Sequence, residues 1–131
     1  MGINIMATKG PTFLYGNTNG SLGRGEITEH IGYKYAKDYN KHKLFVDFIK
    51  HGSDFGVGSK EDYAAHAIHF ANFVDRKNCI SFIDKVRTTH KYNVSTNTYV
   101  AVDKKGYVIT YFKPKEGKKY YMNKKKEKNN E

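Results

Sequence analysis

A histidine at the end of a predicted helix is the residue of this chain best placed to carry out chemistry. His51 is followed at once by Gly52, and a second glycine, Gly56, comes four residues after that. The glycines leave space for water and ligand around the imidazole, while predicted helices on both sides fix its backbone. Because the unperturbed pKa of histidine is near neutrality, the imidazole can act as a general base or a general acid. The simpler alternative is a histidine that only interacts with the carboxyl end of its helix.

Two segments further along carry polar side chains of the kind that bind phosphate. Residues 91–99 and 106–114 read as strands with hydroxyl, amide and cationic groups. Such groups can hold phosphoryl oxygens by charge-assisted hydrogen bonds. With His51, they indicate acid–base chemistry on a phosphate ester.

Two other histidines have a spacing that could bind a metal ion. His66 and His69 lie three residues apart on a predicted helix, but no third ligand follows at a matching spacing and no H-E-x-x-H pattern occurs. A polar helix face is the simpler interpretation. The sequence therefore predicts no metal site and no cofactor.

The charge of the chain favours a polyanionic partner. The formal net charge is +10 over 131 residues, and residues 113–131 contribute +5 of it through eight lysines and three glutamates. Eleven tyrosines and eight phenylalanines could stack on bases, although most aromatic residues of a small protein build its core. The single cysteine, Cys79, excludes an internal disulfide, and no apolar run approaches the roughly 18–20 residues that span a bilayer.

The apolar spacing predicts two clear helices. Leu44, Phe45, Phe48 and Ile49 mark one face of a helix over residues 41–51, with Gly52 as its stop. Ser59 begins the second helix, over about 60–75, in a capping-box-like arrangement with Asp62. The buried stripe of that helix is predicted to be Tyr63, Ala67, Phe70 and Val74. Residues 26–40 have fourfold spacing of apolar residues, which slightly favours a further helix.

The second half of the chain changes to the alternating period of strands. Four strands are predicted, at about 79–83, 86–94, 98–103 and 106–113, with a tight hairpin at Gly106. The fold class is thus α+β, with two or three N-terminal helices on one face of a four-stranded antiparallel sheet. Residues 1–25 are predicted to be a flexible glycine-rich segment, 26–121 the folded domain, and 122–131 a disordered lysine-rich tail.

A set of ordered motifs resembles a known nuclease family. The motifs are residues 43–56 and 59–63, then Ala67, Tyr92, Asn97, Gly106, Thr110, residues 112–114 and Gly117. In this order they resemble the phage-associated and polymorphic-toxin ribonucleases of the barnase–EndoU–colicin–RelE-like (BECR) superfamily. The resemblance covers residues 43–121, which is most of the predicted domain.

The resemblance implies a BECR-like fold with His51, Tyr92, Asn97 and Thr110 at the active site. It implies a metal-independent endoribonuclease that cleaves RNA by attack of the 2′-OH, leaving a 2′,3′-cyclic phosphate. It also implies a toxin module that acts on RNA in the bacterial cytoplasm, with tRNA as one candidate target, after delivery from another cell or synthesis from a phage. A cognate immunity protein is the implied partner, and the basic charge predicts that it is acidic. We expect a monomer that does not bind membranes.

The required chemistry suggests further candidates among the cations. Arg87 is the predicted phosphate clamp at the catalytic site, and Lys85, Lys91 and Lys113 are predicted to bind RNA together with Asn97. A solvated strand face is the alternative for Arg87 and the lysines.

One position departs from the family pattern. Relatives often carry a further histidine four residues before the K-H-G histidine, whereas this chain has Asp47. The second proton-transfer group is therefore open between His90, Tyr92 and His42. Asp47 also favours the alternative function, a noncatalytic RNA- or DNA-binding phage accessory module on the same fold.

Overall fold

The computed structural model describes residues 35–129, so the predicted flexible segment 1–25 lies outside the described residues. Residues 35–71 and 75–129 belong to one compact unit. In chain order the elements are β1 (Asp38–Tyr39), α1 (Lys41–His51), a 3₁₀ turn (Gly52–Phe55), α2 (Lys60–Asn72), β2 (Cys79–Ile83), β3 (Thr89–Asn93), β4 (Thr98–Val102), β5 (Tyr107–Phe112) and α3 (Lys118–Asn129).

The five strands form one mixed sheet in the order β1-β5-β4-β3-β2. The four longer strands pair antiparallel through short turns, as the sequence predicts. Gly106 adopts a φ of +94° in the β4–β5 turn, a conformation that glycine takes without steric cost. The short β1 pairs parallel with the start of β5, at Asp38↔Tyr107 and Tyr39↔Val108. The α+β class is confirmed, and the sheet has one strand more than predicted.

Each face of the sheet has its own core. On one face, Tyr63 and Ala67 of α2 pack with Val100, Val102 and Tyr111, and all five are at most 3% exposed. On the other face, Tyr121 of α3 packs with Tyr92 and Tyr99. The prediction of helices on one face only is therefore wrong, because α3 covers the second face.

The predicted helix over residues 26–40 is not present in its described part. Residues 35–37 lead into β1, which ends at Tyr39, and residues 26–34 lie outside the described residues. The side chain of Tyr39 is 1% exposed because it packs into the core beside β5. Spacing alone could not separate this buried strand residue from the buried face of a helix.

The first helical segment continues past the predicted stop. Gly52 keeps right-handed helical angles and begins the 3₁₀ turn, and the left-handed residue that ends the segment is Gly56, with φ +67°. Helix α2 begins as predicted, because the backbone N–H of Asp62 donates a 3.1 Å hydrogen bond to Ser59 Oγ.

The prediction of a disordered tail from residue 122 is wrong for the part that the structure describes. Helix α3 runs from Lys118 to Asn129, although six of its twelve residues are lysines. Repulsion among lysines opposes such a helix, but Tyr120 and Tyr121 near its start pack on the sheet and hold it there. Within residues 35–129, no helix has the length and apolarity that would let it cross a bilayer.

Candidate active site

Helix α1 places three chemically useful side chains along one side. Lys43, Asp47 and His51 follow each other at intervals of four residues, so they lie on the same side of the helix. Asn40 fixes the start of α1, because its side-chain oxygen accepts a 2.9 Å hydrogen bond from the backbone N–H of His42. The helix packs beside β5, which is the strand that carries Thr110 and Phe112.

Strand β5 contains an irregularity that decides which side chains share a face. Thr110 pairs with Ala101 and Val108 pairs with Val102, so Ile109 is an extra residue in β5. Such a bulge shifts the alternation of side chains. Val108 and Tyr111 consequently both pack in the core beneath α2, whereas Ile109 and Phe112 pack beneath α3.

Lys43 and Thr110 meet at the edge of β5. The Lys43 ammonium donates a long 3.4 Å hydrogen bond to Thr110 Oγ1, and the Thr110 hydroxyl donates a 2.7 Å bond to the carbonyl of Ile109. Lys43 is exposed, so its remaining N–H groups face solvent. A cation and a hydroxyl thus lie together at the surface, an arrangement that suits a phosphate.

His51 lies at the other end of α1, against Phe112. The two ring centroids are 5.0 Å apart, and the imidazole is half-buried. Burial lowers the pKa of His51 below its usual 6.5, while the carboxylates of Asp47 and Asp54 act in the opposite direction and Lys50 lowers it further. Within the described residues, the ring nitrogens accept and donate no hydrogen bond. The lowered pKa favours the neutral imidazole, the form that can act as a general base.

Tyr92 and Asn97 lie together but serve the fold. The Tyr92 hydroxyl donates a 2.7 Å hydrogen bond to Asn97 Oδ1, and Asn97 Nδ2 donates a 3.0 Å bond to the carbonyl of Pro114. Tyr92 is 3% exposed and stacks on Tyr121, with ring centroids 5.8 Å apart. This pair holds the connection between β5 and α3. The predicted catalytic role of Tyr92 has no support in this geometry, since its hydroxyl is engaged under α3.

Arg87 and Lys85 lie in the turn between β2 and β3, and both are exposed. This turn adjoins the sheet row in which Ile83, Thr89 and Val102 are paired, whereas His51 contacts Phe112 near the opposite end of β5. The β2–β3 turn and the Phe112 end of β5 are separated by about four residues along the strand direction and by at least two strand spacings across the sheet. The distance between them is therefore roughly 15 Å or more. Arg87 is therefore not a phosphate clamp at His51, because the hairpin carries it to another corner of the sheet.

Lys91 performs a structural function. Its ammonium donates hydrogen bonds of 2.7 Å to the carbonyl of Phe70 and 3.5 Å to that of Ala71, near the end of α2. Burial lowers the pKa of Lys91. This position gives the predicted contact with RNA no support, because the ammonium is engaged with carbonyls of α2.

Lys113 lies closer to the site than the other predicted lysines. It follows Phe112, and its ammonium donates to the carbonyl of Thr96 at 2.8 Å and to Thr98 Oγ1 at 3.1 Å. The same ammonium lies 5.2 Å from the ring centre of Phe55, in the turn that follows His51. Lys113 thus connects the end of β5 with the β3–β4 turn and with the 3₁₀ turn that follows α1.

A buried network contains the histidine considered as a second proton donor. His90 Nε2 lies 2.8 Å from Asp84 Oδ2, and His90 Nδ1 lies 2.7 Å from the Tyr99 hydroxyl. All three residues are at most 5% exposed. Burial lowers the pKa of His90 despite the neighbouring carboxylate, so the neutral ring donates to Asp84 and accepts from Tyr99. His90 has no nitrogen left for a substrate.

We define the candidate groove as the surface along α1 and β5 that carries Lys43, Asp47, His51, Thr110 and Phe112. Of the predicted site residues, the structure brings His51 and Thr110 to it. Lys43 and its relation to Thr110 were missed, and the signal that could have found Lys43 is its fourfold spacing from Asp47 and His51. In residues 35–129, no group of three or more His, Cys, Asp or Glu side chains is placed to hold a metal ion.

Fold and groove together define a small basic α+β domain in which helix α1 places a half-buried histidine beside β5. No protein-family model matches the chain, and no curated protein matches it.

Proposed function

We propose that this domain is a metal-independent endoribonuclease of the BECR type, with His51 as its central acid–base group. The observation that carries the proposal is the position of His51, a half-buried histidine that contacts Phe112 and lies on the same side of α1 as Lys43, whose ammonium binds the Thr110 hydroxyl. The motif resemblance supports the same function. RNA supplies its own nucleophile, so a base at the 2′-OH and a positive environment for the phosphate meet much of the chemical requirement.

In the proposed reaction, His51 removes the proton of the 2′-OH as the 2′ oxygen attacks phosphorus. The bond between phosphorus and the 5′ oxygen breaks, which gives a 2′,3′-cyclic phosphate and a 5′-OH. Cα atoms eight residues apart on a helix are about 12 Å apart. The pair formed by Lys43 and Thr110 therefore binds a phosphate of the same strand, and the protonated His51 or water returns the proton to the leaving oxygen.

The biological setting follows from the resemblance alone. We propose a toxin module, delivered from another cell or encoded by a phage, that acts on RNA such as tRNA in the bacterial cytoplasm. An acidic immunity protein that covers the basic groove would be its inhibitor. We propose that the active form is a monomer.

The decisive experiment incubates total RNA and purified tRNA with the protein in excess EDTA. Wild type is compared with His51→Ala and with His66→Ala, a control that removes an exposed histidine from α2. A deoxy oligonucleotide tests the need for the 2′-OH. We expect cleavage of RNA alone, cyclic phosphate ends, and a loss of about 10²-fold or more only in His51→Ala.

A second function is favoured by Asp47. Its carboxylate accepts a hydrogen bond from Tyr39, and His90 and Tyr92 are both buried, so the exposed His42 is the one remaining candidate for a second proton-transfer group. A noncatalytic RNA- or DNA-binding module would need none. Folded wild type that binds RNA without cleaving it in the same experiment would establish this alternative over the enzyme.

A further inference from the structure

Helix α3 turns a row of lysines away from the sheet. We define the α3 lysine face as Lys118, Lys119, Lys125 and Lys126, all of which are exposed. Lys118 and Lys125 are seven residues apart and therefore lie on the same side of the helix, with Cα atoms about 10 Å apart. The same holds for Lys119 and Lys126. At 100° per residue, the four lysines occupy an arc of about 120°, and the buried Tyr121 lies outside it.

The charge of this face is not neutralised by neighbours. Glu127 is the one acidic residue of α3, and its carboxylate lies 3.6 Å from the ammonium of Lys124. Within residues 35–129, none of the four lysines takes part in an ion pair. Like charges in adjacent turns destabilise a helix. A bound polyanion would reduce the repulsion among these lysine ammonium groups and so stabilise α3.

The face begins beside the candidate groove. The ring centroid of Phe112 lies 5.0 Å from that of His51 and 5.1 Å from that of Tyr120. Tyr120 directly follows Lys119. A nucleic acid strand bound at His51 can therefore continue past Phe112 onto α3.

We propose that the α3 lysine face binds the phosphate backbone of single-stranded RNA on its way to or from His51. The proposal deepens the proposed function and rests on it for the identity of the polyanion. An anionic membrane fits less well, because a helix that lies on a membrane needs an apolar face toward the lipid. In α3 the large aromatic residues, Tyr120 and Tyr121, are packed in the core, which leaves Met122 as the exposed large apolar side chain.

The test measures binding rather than cleavage, in a His51→Ala background so that the RNA stays intact. Fluorescence anisotropy of a labelled single-stranded RNA oligonucleotide gives the binding constant over a series of NaCl concentrations. In one variant, the four lysines of the α3 lysine face become glutamine. The matched control makes the same change at four exposed lysines elsewhere, Lys60, Lys77, Lys104 and Lys105. Both variants lose the same charge.

We expect the slope of log Kobs against log salt to become less negative by about 2.8 in the α3 variant, since each phosphate contact contributes about 0.7 for single strands. The control should change it by less than about 1. Equal changes in both variants would overturn the proposal, because only net charge would then matter. Binding of phosphatidylserine vesicles that depends on the α3 lysine face, with RNA binding that does not, would also overturn it.

Cleavage by the proteins with His51 intact is assayed separately. Absence of cleavage together with a slope change confined to the α3 variant would reject the nuclease function and keep the RNA-binding surface. Cleavage by both lysine variants with unchanged slopes would keep the nuclease and reject the surface.

Discussion

The hydroxyl of Tyr39 donates a 2.6 Å hydrogen bond to the carboxylate of Asp47, which joins the short parallel strand to the helix that carries His51. The carboxylate lies one helical turn before His51 and raises the pKa of that imidazole, against the larger effect of burial. Asp47 therefore connects the position of α1 to the protonation of its histidine.

Charge changes around His51 should move the pH dependence of cleavage in predictable directions. Asp47→Asn removes a charge that raises the pKa of His51, so the acid limb of the kcat/KM profile should move to lower pH. Asparagine can still accept the hydrogen bond from Tyr39, which preserves the fold. Lys50→Gln should move the limb to higher pH, because Lys50 lowers the same pKa. Shifts in the same direction for both variants would show that His51 is not the group that titrates.

Loss of the cation–hydroxyl pair should weaken phosphate binding. We expect Lys43→Met to reduce kcat/KM by about 10- to 100-fold, the range for a charge-assisted hydrogen bond. Lys41→Met, which changes an exposed lysine at the start of the same helix, is the control. In a double-mutant cycle with Thr110→Val, the two losses should not be additive, since their 3.4 Å contact couples them. Additive losses would place the residues in separate roles.

Lys91 should affect stability and not RNA binding. Lys91→Met leaves the carbonyls of Phe70 and Ala71 without this donor, and the expected cost is about 1–3 kcal/mol in the free energy of unfolding. Urea denaturation measures that loss, and the anisotropy assay should give an unchanged affinity for RNA. A stable variant with weakened RNA binding would restore Lys91 to the interface.

The buried His90 should make the fold sensitive to mild acid. Its pKa in the folded protein lies below the unfolded value of about 6.5, so the unfolded state binds more protons as the pH falls below 6.5. The contribution of His90 to the free energy of unfolding is fully present above that pH. It is lost as the pH falls toward the folded pKa, by at most about 1.4 kcal/mol per pH unit. Hydrogen bonds hold the pKa of Asp84 below 3.8 although burial opposes them, so its contribution is lost only at more acidic pH.

Thermal unfolding between pH 7 and pH 5 tests this dependence. His90→Phe should be less stable at every pH but should lose less stability on acidification than wild type. His66→Gln, which alters an exposed histidine outside the network, is the control. Identical slopes in all three proteins would assign the acid sensitivity to other groups, of which His51 is the first to examine.

The sequence by itself determined the elements in which local pattern and burial agree. Helix α1 has the predicted bounds because Asn40 caps it, and α2 begins at the Ser59 cap. The antiparallel strands follow from alternation and from turn residues such as Gly106. His51 was identified for the same reason, since a histidine between a helix and a glycine is a local feature.

Only the tertiary structure decided which polar residues meet. Arg87 and His51 are separated, and Lys91 is bound to the end of α2, because strand order and register place side chains that spacing along the chain cannot relate. The bulge in β5 exchanged the faces of its later residues. Likewise, α3 is a helix because Tyr120 and Tyr121 pack on the sheet. The residues that they contact are distant in sequence, so the lysine-rich segment alone could not predict this packing.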